Sequence, residues 1–540
     1  MRITNKIMQK NNLANINTNK IYQDKLSTQM ATQKKISRPS DDPVVAIRSL
    51  RLRSNVTEIT QYYSKNIPDA ESWLKITEDA LSNLSEVLTN MIAQCTKGAN
   101  GDLTTENRQI ILEQLQKLSE EVYATGDADY AGRYVFTGYR TDTSLSFLSD
   151  QKQAYTITEQ LDNSAIDTIS KVDVGDLLDI NAENYKDTTN SAITEQDIES
   201  VEVYRIRLAY NDCMDTIPTI SVVGADANGD LTTKVLADGT GAADFTIEKI
   251  NSYDTYTDAN GDTYANPYAY VAANDDAVVF VPDTGELLLG KDAYAELMAQ
   301  KDLANTPNID ESEIRITYEK SNWQKGDLRP EHYFACSTFD TDAAGNRVDG
   351  ITYNASYLNS GAERQVIEYD VGYNQTIQVN STADECFNHG IGRETDDLVA
   401  AMQDVMKLES VQSTIKDLME SVTDEDDLAI LQNQLDAVDK ALTYAKDKEQ
   451  KMFESGITAF QKYLDASNLC VTDCGARSSK LALIKNREQN QKTTYETLKS
   501  ENEDIDITEV AIQLSAAELT YDAALMAAGK VMQSTLLNFI

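Results

Sequence analysis

Histidine is nearly absent from the sequence, which has only His332 and His389 among its 540 residues. Because histidine is the side chain whose ordinary pKa lies closest to neutral pH, general acid–base catalysis has little to draw on. The sequence also lacks a nucleophile elbow, a phosphate-binding P-loop, a GxGxxG fingerprint and an HExxH motif. We therefore predict no catalytic residue, no cofactor-binding residue and no metal ligand, and we expect a protein that is not an enzyme.

Cysteine is too sparse for a disulfide-stabilised scaffold, because the chain has only six, at positions 95, 213, 336, 386, 470 and 474. Cys470 and Cys474 are close in sequence, but neither a second cysteine pair nor a nearby histidine completes a metal site. We therefore expect free thiols, most of them buried.

Long hydrophobic runs are missing as well. No stretch reaches the roughly 18 apolar residues of a membrane span, and the first residues, MRITNKIMQKNNLANINTNK, contain no apolar core of a signal peptide. This predicts no membrane insertion, and any export must use a route without a cleavable signal peptide.

Positive charge is scarce: 48 basic against 88 acidic residues give a net charge of -40. Such a field repels phosphates, so nucleic acid is not an expected partner. Residues 141–396 alone hold 16 basic and 47 acidic residues together with 16 of the 27 tyrosines, and no proline follows Pro330. This distribution predicts an α+β protein with helical ends and an acidic, strand-rich middle, whose many carboxylates we expect on a solvated surface.

A strong helix start lies in SRPSDDPVVAIRSLRLRS, residues 37–54. Pro39 disfavours the helical conformation at Arg38, whereas Asp42 suits an N-cap and Pro43 a first helical position, so we predict a helix from Pro43. Arg48, Arg51 and Arg53 follow at once, in a segment (1–56) that carries 11 basic and 3 acidic residues. We expect this positive end to meet acidic groups, either in the C-terminal part of the chain or in a neighbouring copy.

Both ends of the chain carry helical periodicity. Apolar residues fall on a seven-residue repeat from Val56 to Cys95, with Pro68 as a possible bend, and the spacing continues over 111–122 after the turn GANGDLTTE. A further repeat covers 428–452, interrupted by Glu449. The last one contains Ile507, Val510, Leu514, Ala517, Tyr521, Ala524, Ala528 and Val531. The ends are therefore predicted to be long amphipathic helices, which can pair within the chain or with neighbouring copies.

The middle reads as short strands between turns. VVFVPDTGELLLG, residues 278–290, predicts a hairpin with DTG as its turn. DANGD occurs at 226–230 and 258–262, but an EF-hand loop needs glycine at its sixth position, where the two copies have Leu231 and Thr263. Turns, rather than calcium sites, are expected there.

The N-terminal end contains the motifs MRITNKIM, KKISRPSDDPVVAIRSLRLRS, a heptad with DAESWL, and DYAGRYVFTGYRTDT, and the C-terminal end contains CGARSSKLALIKNR and DIDITEVAIQLSAAELTYDAALMAAGKVMQSTLLNFI. These motifs resemble the hook-associated protein 3 family, the hook–filament junction proteins of the flagellin superfamily. The resemblance covers roughly residues 1–143 and 474–540. It implies a flagellin-like fold in which both termini form a coiled-coil rod and a β-rich domain is inserted between them.

The resemblance also implies a domain order along the chain. Residues 1–42 would be an inner-tube helix and turn, 43–140 and 397–503 the two halves of the rod, 141–396 a projecting variable domain, and 504–540 a second inner-tube helix. Arg48, Arg51, Arg53, Leu514, Tyr521 and Val531 would then lie in assembly interfaces.

The same resemblance implies a structural role outside the cell, in the flagellum, after type III export. The implied partners are further copies of the chain, a second hook-associated protein, flagellin or hook-side axial proteins, and a cytoplasmic export chaperone. Flagellin itself and a flagellin-like protein with an adhesive middle domain are the alternatives; a hydrolytic insert would need a zinc-protease motif that the sequence lacks.

Overall fold

The computed structural model describes residues 5–101, 103–174, 177–178, 180–225, 231–304, 314–342, 346–358 and 365–533. The chain divides into two compact units. We call Met1–Glu71, Glu368–Ile377 and Ser478–Ile540 the terminal unit, and Ser72–Ile367 with Gln378–Arg477 the central unit.

The helices concentrate at the two ends of the chain, as predicted. They are α1 (Asn5–Thr32), α2 (Pro43–Gln61), α3 (Ile67–Gly98), α4 (Thr105–Gly126), α5 (Pro267–Ala273), α6 (Lys291–Ala304), α7 (Ala383–Cys386), α8 (Gly390–Ser421), α9 (Glu425–Glu503) and α10 (Ile507–Gln533).

The strands lie between the helical ends. They are β1 (Asp129–Tyr130), β2 (Arg133–Tyr134), β3 (Gln151–Leu161), β4 (Ile166–Asp173), β5 (Glu199–Arg207), β6 (Thr219–Ala225), β7 (Leu231–Asp238), β8 (Phe245–Lys249), β9 (Tyr256–Thr257), β10 (Thr263–Tyr264), β11 (Val278–Val281), β12 (Glu286–Leu289), β13 (Ile314–Trp323), β14 (Ala335–Thr341), β15 (Arg347–Tyr353), β16 (Glu368–Gly372) and β17 (Gln375–Gln378).

Eleven of these strands form one sheet, in the order β15-β14-β3-β13-β6-β7-β8-β11-β12-β5-β4. Its neighbours are antiparallel except at β8, which pairs in parallel with both β7 and β11. The predicted hairpin of residues 278–290 is confirmed as β11 and β12, with Val278 opposite Leu289 and Val281 opposite Glu286. Both strands are buried along their whole length, and α5 covers them with Tyr268 and Val271.

The predicted helix start at Pro43 is also confirmed. The Asp42 carboxylate accepts hydrogen bonds from the backbone N–H groups of Val44 (3.0 Å) and Val45 (3.1 Å), and Pro43 occupies the first turn. These contacts satisfy donors that a helix N-terminus otherwise leaves without partners.

The seven-residue repeat of 56–95 is buried as predicted but does not form one continuous α-helix. A π-helical turn, Tyr62–Asn66, separates α2 from α3, and the N–H of Ile67 donates to the carbonyl of Tyr62, five residues earlier. Pro68 lies two residues after this turn. Proline has no backbone N–H to donate, and its ring clashes with the preceding turn of a regular α-helix, so a widened turn accommodates it. The apolar positions on both sides of this turn, such as Ile59 and Leu81, stay buried.

The second DANGD segment forms the predicted turn. Asp258 accepts hydrogen bonds from the N–H groups of Asn260 and Asp262, both at 2.9 Å, and Gly261 adopts a φ of +94°. The first DANGD copy lies outside the described residues.

Candidate assembly interface

Helices α1 and α10 of the terminal unit pack against each other. Leu26 of α1 is buried with Val510 and Ala517 of α10, and Ile505 and Leu514 pack against this cluster. The Tyr22 hydroxyl donates to the Gln513 side-chain oxygen at 3.4 Å. The pairing within the chain, which the sequence left open, is thus one of the contacts that these ends make.

Residues of the C-terminal apolar repeat lie on the side of α10 that packs against α1. Leu514 and Tyr521 are half-buried on it, while the side chain of Val531 lies outside the described part of the chain. Within one copy this face is covered at Val510, Leu514 and Ala517, which pack with Leu26 of α1. That Leu514, Tyr521 and Val531 contact other copies stays a prediction.

A second apolar stripe runs along α10 and is exposed. It consists of Ile512, Ala516, Leu519, Ala523 and Met526, and we call it the outer seam; its 4-3-4-3 spacing places these residues on one side of the helix. Ile512, Leu519 and Met526 are 66%, 72% and 67% exposed. Sequence reasoning found the first seven-residue repeat of this helix and missed this one, although the spacing carries the signal.

Helix α1 shows the same feature. Ile7, Ala14 and Ile21 lie seven residues apart and are all exposed, as is Leu13. Exposed apolar residues are common singly, but a periodic stripe on each of two paired helices indicates a surface that binds another helix.

The junction of α9 and α10 is fixed by Glu503, whose side chain is 4% exposed. Its carboxylate accepts two hydrogen bonds from Arg53, from Nε at 2.6 Å and from Nη2 at 2.9 Å, and a third from the Ser49 hydroxyl. These bonds, above all those from Arg53, lower the pKa of Glu503 to about 2. The carboxylate is therefore ionised across the neutral range.

The chain after α1 adds backbone contacts to the same junction. The N–H of Lys35 donates to the Glu503 carbonyl at 2.7 Å, and the N–H of Ile505 donates to the Gln33 carbonyl at 3.2 Å. The Lys34 ammonium forms an ion pair with Asp504 and lies 3.5 Å from Glu503. The basic N-terminal end thus meets acidic groups of the C-terminal end within one copy.

The three predicted interface arginines divide accordingly. Arg53 is committed to Glu503, whereas Arg48 and Arg51 lie exposed on the same helix, α2. The proposed role of Arg48 and Arg51 between copies stays a prediction.

The two histidines sit in interior positions of the central unit. Burial lowers the pKa of both His332 and His389 to about 4, so they are neutral at neutral pH. The His332 Nε2 lies 3.0 Å from the carbonyl oxygen of Ser144. Within the described ranges, no group of three or more His, Cys, Asp or Glu side chains is arranged to hold a metal ion.

Glu286, a carboxylate of the acidic middle that we expected on a solvated surface, is instead a buried ion-pair partner, and Asp397 is half-buried. The Arg205 guanidinium contacts Glu286 at 2.6 Å, Asp167 at 2.7 Å and Asp397 at 3.0 Å. Although burial alone would raise the pKa of Asp397, Arg205 and Arg207 hold it at about 2. These groups neutralise one another, which explains how so acidic a segment folds around charged side chains.

Among the helices of the described segments, none combines the length and the apolar content that crossing a bilayer requires.

Comparison with known proteins identifies the N-terminal part of the chain. Residues 3–141 match the family model of the bacterial flagellin N-terminal helical region. Over 170 residues the chain is 27% identical to flagellar hook-associated protein 3 of Escherichia coli (strain K12), covering 30% of this chain and 53% of that protein. Over 145 residues it is 27% identical to flagellar hook-associated protein 3 of Salmonella typhimurium, covering 27% of this chain and 45% of that protein.

The chain therefore spans about half the length of the curated relatives that it matches. The solved structure of a flagellar hook-associated protein from Vibrio parahaemolyticus aligns with 86% of this chain and 100% of its own length, at 12% identity and a TM-score of 0.33. Residues 3–141 thus match the bacterial flagellin N-terminal helical region, and the chain is similar to flagellar hook-associated protein 3 over about half of that protein's length.

Proposed function

We propose that this chain is a structural axial protein of the bacterial flagellum, which forms the junction between hook and filament through helical self-assembly of its terminal segments. The observation that carries the proposal is the outer seam, an exposed apolar stripe on the helix that pairs with α1. A stripe of this spacing gains stability only by packing on another helix, and further copies of the chain supply such helices.

The similarity to flagellar hook-associated protein 3 supports the proposed position of this assembly, between hook and filament. In the proposal, residues 1–42 and 504–540 line the inner tube, 43–140 and 397–503 form the rod, and 141–396 projects outward. The neighbours are further copies, a second hook-associated protein, and flagellin or hook-side axial proteins. The protein acts outside the cell as part of the flagellum and is not an enzyme.

Export without a cleavable signal peptide belongs to the same proposal. Before assembly, the outer seam would expose a row of apolar side chains, which favours unspecific association. A cytoplasmic export chaperone that accepts α10 in an apolar groove would prevent this. The outer seam, rather than the face toward α1, is the surface that such a chaperone would cover.

A single charge on the outer seam tests the proposal. Leu519→Asp places a carboxylate in the centre of the stripe, where packing would leave it buried without a partner. The matched control is Thr520→Asp, which adds the same charge at the next, also exposed, position of the helix.

We expect cells that carry Leu519→Asp in place of the natural chain to retain hooks, lose filaments and shed flagellin into the medium, as electron microscopy and immunoblots of the medium would show. Purified Leu519→Asp should keep its helix content by circular dichroism, because Leu519 is not part of the α1–α10 core. Thr520→Asp should behave as the unchanged chain. Normal filaments on Leu519→Asp cells would contradict the proposal.

A further inference from the structure

A cavity of about 510 Å³ lies in the central unit, between strand β4, the segment that follows β8, and helices α8 and α9. Its size falls in the range of sites that hold small organic molecules. No sequence motif marks it, because its walls come from segments that are far apart in the chain. What the cavity can hold is therefore decided by the side chains that line it.

The described residues that line the cavity include three lysines but a single carboxylate. Lys171 lies on β4, Lys407 on α8 and Lys448 on α9, and the carboxylate is that of Asp404 on α8. In a chain with 88 acidic and only 48 basic residues, three lysines around one aspartate reverse the charge balance locally. The cavity therefore attracts anions, although the chain as a whole repels them.

Among the described residues, one of the three ammonium groups has a carboxylate partner. The Lys171 Nζ lies 3.2 Å from the carboxylate of Asp404. The ammonium groups of Lys171 and Lys407 lie 5.7 and 5.6 Å from the centre of the same exposed ring, that of Tyr253. Within the part of the chain that the structure describes, Lys407 and Lys448 form no ion pair. An incoming anion can therefore bind two ammonium groups without displacing a protein carboxylate.

Lys448 carries its charge at a cost. Its burial and the neighbouring ammonium of Lys171 lower the pKa of Lys448 to about 8. Of the other charged groups that act on it, Arg205 also lowers this pKa, whereas Asp404 and Asp397 raise it. A bound anion would stabilise the charged form of Lys448, so an anion should bind more strongly when this residue is protonated.

The remaining lining of the cavity is mostly apolar. Leu408 and Ala445 belong to a buried core cluster, and Val172, Val174 and Leu178 pack against the same cluster. An inorganic anion would leave this apolar surface in contact with water. An organic anion would cover it with its own apolar body, which adds hydrophobic stabilisation to the attraction between charges.

We propose that this cavity binds a small organic carboxylate. The acid group lies between Lys407 and Lys448, and the apolar body lies on the surface that Leu408 and Ala445 form. The proposal does not rest on the proposed function, since the cavity is in the central unit and the outer seam is in the terminal unit.

The test is calorimetric titration of the purified full chain at pH 7 with 2-naphthoate, an aromatic carboxylate. Two further probes separate the two contributions: 2-naphthamide has the same rings without the charge, and inorganic phosphate has charge without an apolar body. Lys448→Met and Lys407→Met each remove one ammonium group from the lining. The matched control is Lys451→Met, which removes the same charge from an exposed position of α9 outside the cavity.

We expect one molecule of 2-naphthoate to bind per chain, and 2-naphthamide and phosphate to bind at least about tenfold more weakly. Lys448→Met and Lys407→Met should each weaken the binding of 2-naphthoate by about tenfold, whereas Lys451→Met should leave it unchanged. Lys407 is exposed, so its substitution leaves the core intact even if that of Lys448 disturbs the fold.

The pH dependence provides a second measurement. Between pH 7 and 9 the affinity of the natural chain for 2-naphthoate should fall as Lys448 loses its proton, and the fall should be smaller in Lys448→Met.

Four results would each overturn the proposal: no binding of 2-naphthoate, equal affinity for 2-naphthamide, equal affinity for phosphate, or unchanged binding in both lysine variants of the lining. The last would place the bound molecule elsewhere, for example on the outer seam. None of these outcomes bears on filament formation, so this test and that of the outer seam fail separately.

Discussion

At the scale of single residues, Glu503 joins three segments of the terminal unit. Its carboxylate binds Arg53 and Ser49 of α2, and its backbone carbonyl accepts from Lys35 after α1. Because the carboxylate is buried and Arg53 is half-exposed, with a side chain 54% accessible, we expect the ionised form to contribute about 1–2 kcal/mol to the stability of this junction.

Glu503→Gln should remove that contribution in a pH-dependent way. The pKa of Glu503 falls from 4.5 to about 2 on folding, so its stabilisation is fully present above pH 4.5 and is lost as the pH falls toward 2. Hydrogen exchange at the amides of Lys35 and Ile505 should therefore be faster in the variant at pH 6, and this difference should shrink between pH 4.5 and 2.

The control for this measurement is Glu501→Gln, which removes the same charge from an exposed position two residues away. It should leave the exchange of both amides unchanged. A difference between Glu503→Gln and the natural chain that stayed constant down to pH 2 would show that the carboxylate charge is not what stabilises the junction.

The ion pair between Glu449 and Arg108 explains why a charged residue interrupts an otherwise apolar repeat. Both oxygens of Glu449 accept from Nε of the buried Arg108, at 2.9 and 3.0 Å, and Arg108 also contacts Glu409 at 3.1 Å. The charge is therefore buried with a partner of opposite sign rather than exposed. The two residues are distant in sequence, and periodicity alone does not reveal such a pairing.

At the scale of elements, α10 carries two apolar faces with different uses. One face packs on α1 through Val510 and Ala517, and the other is the exposed outer seam. A helix with two apolar faces can bury one of them within its own chain, which stabilises the single copy, and leave the other exposed for contact with another copy. This division places the proposed contacts between copies on residues such as Leu519, in addition to the predicted Leu514 and Tyr521.

The β11–β12 hairpin depends on the glycine of its DTG turn. Gly285 has a φ of +67°, and a Cβ there would lie 2.0 Å from the carbonyl oxygen of Tyr210. Gly285→Ala therefore adds a backbone clash to the conformational strain, and we expect it to destabilise the central unit by roughly 3 kcal/mol or more. Denaturant unfolding followed by tryptophan fluorescence measures the change.

Gly132 provides the matched control for that substitution. It has a similar φ of +78°, but a Cβ there would meet nothing within 4 Å. Gly132→Ala should therefore cost only the conformational strain, about 1–2 kcal/mol. Equal losses in the two variants would mean that the contact with Tyr210 contributes nothing.

At the scale of the whole molecule, the net charge of -40 opposes the association of identical copies. Raising the ionic strength from about 0.01 M to about 0.15 M shortens the Debye length from roughly 30 to 8 Å, so repulsion between copies is screened. We expect self-association of the purified chain, measured by light scattering at fixed concentration, to become faster over this range, because the apolar seam is not weakened by the salt.

Leu519→Asp is the control, since it should scatter little at either ionic strength. If association of the natural chain became slower with added salt, attraction between opposite charges would dominate instead. Such a result would favour the predicted contacts of Arg48 and Arg51 with acidic groups of a neighbouring copy over the outer seam.

The sequence by itself determined the elements whose causes are local. The helix start at Pro43 follows from capping chemistry and the fixed φ of proline, and the hairpin at 278–290 follows from strand-forming residues around a glycine turn. Periodicity identified the buried positions of α3, such as Leu81 and Leu88, and the motifs at both ends indicated a flagellin-like chain.

Only the tertiary structure decided which groups meet across long stretches of chain. It paired Arg108 with Glu449 and Arg53 with Glu503. It also showed which face of α10 meets α1. The physical reason is that a repeat specifies which residues share a side of a helix but not what that side contacts, and in so acidic a chain many carboxylates are equivalent partners until packing selects among them.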